Sequence, residues 1–116
     1  MAKLMKRGDI VLCNLGGDYG KPRPAVIVQS DIFNVTHASI EVCPITSCLI
    51  DAPLFRIEIS PTKKNGLLKK SQIMVDKMSA IKRDKISDKV GILSAREQES
   101  LSNAIKLWLN LEDITH

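Results

Sequence analysis

Aromatic side chains are almost missing from this chain: one tryptophan, one tyrosine and two phenylalanines in 116 residues. That counts against a binding surface of several stacked rings, the device of many single-strand nucleic-acid binders. Cysteine is sparse too. Cys13, Cys43 and Cys48 are odd in number and form no C-x-x-C pair. They argue against a disulfide framework and a four-ligand zinc site. No apolar run approaches the ~18 residues of a spanning helix. The start, Met1 to Asp9, has no apolar stretch of the kind a signal peptide carries. The expectation is cytoplasmic, metal-independent chemistry, with no cofactor and no membrane.

What the chain does have is charge, unevenly placed. The formal net charge is +4 and the sequence pI about 9.1. Residues 62–85 hold eight Lys and Arg against Asp76 and Asp84, a local net of +6. Residues 97–116 hold Glu97, Glu99, Glu112 and Asp113 against Lys106, a net of −3. A basic half suits phosphates or an acidic protein segment; a lysine-rich solvated loop would read the same way. By size, residues 1–116 form one domain with a core of its own.

The most legible stretch is Lys21-Pro22-Arg23-Pro24-Ala25-Val26-Ile27-Val28. Proline fixes φ and lacks an N–H, so it belongs at a strand's start. The residue before a proline is pushed toward extended geometry. Arg23, between two prolines, is therefore stiff at the mouth of a buried strand, a setting that suits a charge held for a ligand. A surface arginine that merely precedes a strand would look the same.

The rest of the chain reads as short strands. Arg7 to Asn14 is a first strand, and its R-G-D is not an adhesion motif because it runs directly into that strand. Asn14 to Lys21 is a glycine-rich loop without P-loop spacing. Pro24–Gln29 and Ser39–Ile45 are strands, and Pro44 implies an edge or a bulge near Thr46. Ser30 to Asn34 is a helical turn or a tight loop. In Leu54 to Ile59 the apolar Phe55, Ile57 and Ile59 alternate with Leu54, Arg56 and Glu58, a half-buried strand. Asn65-Gly66 marks a turn. Gln72–Asp76 and Ser79–Lys82 are two more short strands or one bent one. Ser94-Ala95-Arg96-Glu97 has capping-box spacing, and Leu101, Ala104, Ile105 and Trp108 recur with helical period. A helix is expected near 95–110, with Trp108 as its core anchor. The sum is five or six antiparallel strands and a terminal helix.

Four blocks then resemble the PemK/MazF (Kid) family of toxin–antitoxin ribonucleases. They are Lys6–Val11, Lys21–Gln29, Val42–Ser47 and Gln72–Ile81, in the family's order and near its spacing. Lys89 to Ser94 is similar as well. The resemblance implies a small SH3-like antiparallel β-barrel of the CcdB/MazF type, mainly β with a C-terminal α-helix, acting as a homodimer. It implies a sequence-preferring endoribonuclease that cuts single-stranded RNA, chiefly mRNA, without metal. It also implies a cognate antitoxin that blocks the enzyme with an acidic, disordered tail.

By the same resemblance Arg23 matches the catalytic arginine of the R-P motif, Thr46 the threonine of P-[IL]-T, and Asp76 the acidic position of the last block. Asp76 is the candidate acid or base; an ion pair with a nearby lysine is its plainer role. Lys21, Lys69, Lys70, Gln72 and Lys77 are candidate RNA contacts. Two positions depart from the pattern: residues 15–23 hold no histidine, and Met74 stands where some members have arginine. His37 reads as a loop histidine. Two other readings compete with the nuclease. One is a gyrase-poisoning binding protein like CcdB, disfavoured by the polar end Glu112 to His116. The other is an RNA-binding domain without activity.

Overall fold

The computed structural model describes residues 5–16 and 21–111. Within the glycine-rich loop residues 17–20, and at the C-terminus residues 112–116, lie outside it, as does the polar end weighed against CcdB.

Seven strands are present among these residues: β1 Asp9–Cys13, β2 Arg23–Ile27, β3 Ser39–Thr46, β4 Arg56–Ile59, β5 Ser71–Met74, β6 Ser79–Lys82 and β7 Ile86–Ile92. A short helix, α1, spans Asp31–Asn34, and the terminal helix, α2, spans Ala95–Leu109. The strand order is β4-β5-β3-β2-β1-β7, with β6 also paired to β3 and every pairing antiparallel. The two end strands do not pair with each other, so the expected barrel is an open one.

Strand β3 carries the architecture. Its first half, Ser39–Val42, pairs with β6, and its end, Ile45–Thr46, pairs with β5. The partner changes across Cys43-Pro44. Pro44 has no N–H to lose there, so a buried proline sits in a central strand without breaking a ladder bond. The proline marks this switch, where an edge or a bulge was expected.

Side-chain alternation gives two apolar cores. Ile10, Val26, Cys43, Ile45, Ile59 and Ile73 pack with Leu101 and Ala104 of α2. Val11, Cys13, Ala25, Ile27, Ile40, Val42 and Ile86 form the second core. Strands buried on both faces read as continuous apolar runs, which is what β1 and β2 do. The R-G-D segment is structural. Arg7 donates to the Val28 carbonyl and, at 2.7 Å, to Ser102 Oγ on α2. Asp9 is buried and ion-paired with Lys89 at 3.2 Å.

The expected capping box is formed: Ser94 Oγ accepts from the Glu97 amide at 3.1 Å, and Glu97 Oε1 accepts from the Ser94 amide at 2.9 Å. Trp108 departs from expectation. It is 48% exposed and lies at the rim, its ring centroid 5.7 Å from that of Phe55. Helix α2 overruns the core after Ile105, and Leu107, Trp108 and Leu109 of its last turn are exposed.

Two tight approaches fix the loop before β5. A Cβ on Gly91 would sit 2.3 Å from the Asn65 backbone, and one on Gly66, at φ +71°, would sit 2.2 Å from the Val90 carbonyl. The turn therefore lies flat on β7, and buried Asn65 ties it together. Its Oδ1 accepts from the Thr62 and Leu67 amides at 3.0 Å each. The following residues, Leu67–Lys69, are thereby held over the sheet.

Candidate active site

A cleft of about 730 Å³ opens between the start of β2, the end of β3 and the loop Gly66–Lys69. Arg23, Thr46, Ser47, Lys69, Ser71 and Met74 line it, with Leu12, Leu15 and Pro24. Its described walls carry two cations and no carboxylate. Such a site attracts an anion.

Strand register explains why Arg23 and Thr46 meet there. Ala25 of β2 pairs with Pro44 of β3. Two residues further out on each strand, past this last β2–β3 pair, lie Arg23 and Thr46, which the period of two puts on the face of Ala25 and Pro44. Arg23 is exposed and pairs through its backbone with Cys13 of β1. Thr46 is half-buried, and its Oγ1 accepts from the Cys48 amide at 3.1 Å.

The other sequence candidates are scattered. Lys69 lines the cleft. Lys21 is exposed and only two residues from Arg23, but does not line it. Lys70 turns to β4 and pairs with Glu58 at 3.2 Å on the surface. Lys77 is exposed on the 3₁₀ turn Val75–Lys77. Gln72 is 4% exposed, with its amide bonded to Ile50 and Arg56.

Asp76 does not line the cleft either. The sequence reads as strand through residue 76, which would put Asp76 on the face of Met74, a cleft residue. The strand instead ends at Met74, and the 3₁₀ turn redirects Asp76. One of its oxygens is buried without a hydrogen-bond partner. Its charge is felt at the Cys43 thiol in the core under α2. His37 is an exposed loop residue whose carbonyl accepts from Arg83, as expected. Sequence reasoning gave no part to Ser47 or Arg56, whose neighbours become clear only once β3, β4 and β5 are aligned.

Fold and cleft together define a small antiparallel-sheet protein with a capped C-terminal helix and a groove at one sheet end lined by Arg23 and Lys69. Solved structures share this fold. The Mycobacterium tuberculosis toxin MazF-mt6 matches with a TM-score of 0.78 at 21% identity, covering 90% of this chain and 99% of that one. A chain of the MazE–MazF complex from Deinococcus radiodurans matches with a TM-score of 0.78 at 16% identity, covering 95% and 100%.

Sequence comparison narrows the class. Residues 6–109 match the family of PemK-like, MazF-like toxins of type II toxin–antitoxin systems, and the chain belongs to that family. It is 40% identical over 108 residues to a probable endoribonuclease MazF of Mycolicibacterium smegmatis, covering 92% of this chain and 98% of that protein. It is 30% identical over 116 residues to the endoribonuclease MazF of Staphylococcus saprophyticus, covering 96% of each.

Proposed function

We propose that this chain is the toxin of a type II toxin–antitoxin pair and an endoribonuclease that cuts single-stranded RNA, chiefly mRNA, without metal. The observation that carries the reading is the shared cleft of Arg23 and Thr46, free of carboxylates along its described walls. In such cleavage the 2′-OH attacks the adjacent phosphorus and the 5′-oxygen leaves, so negative charge gathers on the phosphoryl oxygens. A guanidinium offers them a fixed, permanently charged fork. With the Thr46 oxygen occupied by the Cys48 amide, its proton is the part left to offer a phosphoryl oxygen. Neither group is a ready base, since arginine loses its proton only above pH ~12. Their contribution is preorganised charge stabilisation.

Asp76 has no part in this reading, because it stands outside the cleft. Lys69, and Lys21 beside the mouth, meet the RNA backbone, adding affinity without sequence information. An antitoxin with an acidic, disordered tail would suit the same cations. The reading includes a homodimer working in the cytoplasm. Among the described residues no helix is long and apolar enough to cross a membrane.

The test is incubation of purified protein with a mixed single-stranded RNA in chelator, with the cut ends mapped. Cleavage leaving 2′,3′-cyclic phosphates or their hydrolysis products is expected. Arg23→Ala and Thr46→Ala should each lower kcat by ~10²-fold or more. Intact RNA, or an undiminished Arg23→Ala enzyme, overturns the reading.

A further inference from the structure

Thr46 and Gln72 are cross-strand partners on β3 and β5. Gln72 is buried, and both polar atoms of its amide are hydrogen-bonded. Nε2 donates to the Ile50 carbonyl at 2.8 Å. Oε1 accepts from the Ile50 amide at 3.2 Å and from Arg56 Nη1 at 3.1 Å. Arg56 Nη1 also donates to the Cys48 carbonyl at 3.4 Å. One buried side chain thus grips both backbone groups of Ile50, and its guanidinium neighbour grips Cys48.

The segment held this way carries the group that orients Thr46. The Cys48 amide donates to Thr46 Oγ1, so the rotamer of that hydroxyl depends on where Cys48 sits. Residues 47–50 are exposed, with no strand or helix of their own. The Gln72–Arg56 clamp supplies the order that secondary structure does not. Leaving a buried amide unpaired is costly, so the clamp resists opening.

We infer that Gln72 is a positioning residue for RNA cleavage: by fixing Cys48–Ile50 it fixes the direction of the Thr46 hydroxyl in the cleft. The inference rests on the reading of this cleft as the place of cleavage. It gives Gln72 a role other than the RNA contact its sequence block suggests. A small displacement of a hydrogen-bond donor at a reacting centre is enough to lower a rate severely.

The experiment is a double-mutant cycle on kcat and KM, with RNA as substrate and folding followed by thermal melting. Gln72→Met, Thr46→Val and the double variant are compared with the parent. Gln72→Met should lower kcat by roughly 10-fold or more, with KM within about twofold. In the Thr46→Val background the same change should cost nothing further, because the hydroxyl it positions is gone. Arg56→Met provides the same cycle from the other side of the clamp if Gln72→Met does not fold. Equal losses in both backgrounds, or a loss in KM alone, overturn the inference. So does a fully active Gln72→Met enzyme beside a crippled Thr46→Val enzyme, which leaves the reading of the cleft standing. A fully active Thr46→Val enzyme sinks both.

Discussion

Arg23 and Thr46 each stand two residues outward from Ala25–Pro44, the last pair between β2 and β3, and both line one cleft. Pro22 and Pro24 restrict the backbone at Arg23, and the Thr46 hydroxyl accepts from the Cys48 amide at 3.1 Å. On the proposed reading the site uses the shape of the guanidinium as well as its charge. Arg23→Lys keeps the positive charge and loses the planar fork that spans two oxygens. RNA affinity should stay within a few-fold, while kcat falls by about 10-fold or more. Separate measurement of RNA binding, on an uncleavable 2′-deoxy analogue, and of single-turnover cleavage checks this. An Arg23→Lys enzyme with parental kcat would mean that a point charge suffices.

The lysines of the basic half are not equivalent. Lys69 lines the cleft, whereas Lys70 is turned to Glu58 in a surface ion pair. A cation that neutralises one phosphate of a single strand contributes about 0.7 to the slope of log K against log salt. Lys69→Ala should reduce that slope by about this amount and weaken binding to all sequences alike. Lys70→Ala should leave the slope nearly unchanged. Binding titrations over a range of salt concentrations distinguish the two. Equal effects would mean that the whole lysine-rich segment touches RNA.

Asp76 offers the opposite test. Its side chain lies outside the cleft, where its charge reaches Cys43. On the proposed reading, in which Asp76 stands outside the cleft, Asp76→Asn should keep kcat within about twofold of the parent and leave the pH–rate profile unshifted. A loss of ~10²-fold, with one limb of the profile removed, would restore Asp76 as general acid or base.

How much of this is legible in the sequence follows from what each residue's signal depends on. Local signals read correctly: the prolines around Arg23, the Asn65-Gly66 turn and the Ser94–Glu97 capping box each act within a few residues. Strand β7 does not read as a strand, because Ser87, Asp88 and Lys89 are all exposed and give no apolar alternation. Trp108 reads as a core residue because helical period shows which side a residue faces, but not where the sheet beneath it ends. The site splits the same way. Strand starts and motif order single out Arg23 and Thr46, and the fold brings the two to one cleft. The placements of Gln72 and Asp76 need tertiary information: a loop folded back onto β5, and a 3₁₀ turn ending a strand two residues early.

The cysteines provide a final prediction, with a worked pH dependence. Cys13 and Cys43 are buried and Cys48 is exposed. Burial pushes the Cys13 thiol up from 9.0 to about 11. Burial, helped by the negative charges of Glu41 and Asp76 and opposed by Arg7, pushes Cys43 from 9.0 to about 12. Only a thiolate reacts readily with an alkylating agent. Native protein at pH 8 should therefore take up one label, at Cys48, and denatured protein three. The same two buried thiols weaken the fold in alkali. Above their ordinary value of 9.0 the unfolded chain releases protons that the folded chain retains, so stability falls as pH rises from 9.0 toward about 11 and about 12. Replacing Cys43 with alanine removes its share of that fall, so the variant's melting temperature should decline less steeply between pH 9 and pH 11 than the parent's. Rapid labelling of Cys43 in the native state at pH 8 would show that the β3 core opens far more often than its burial implies.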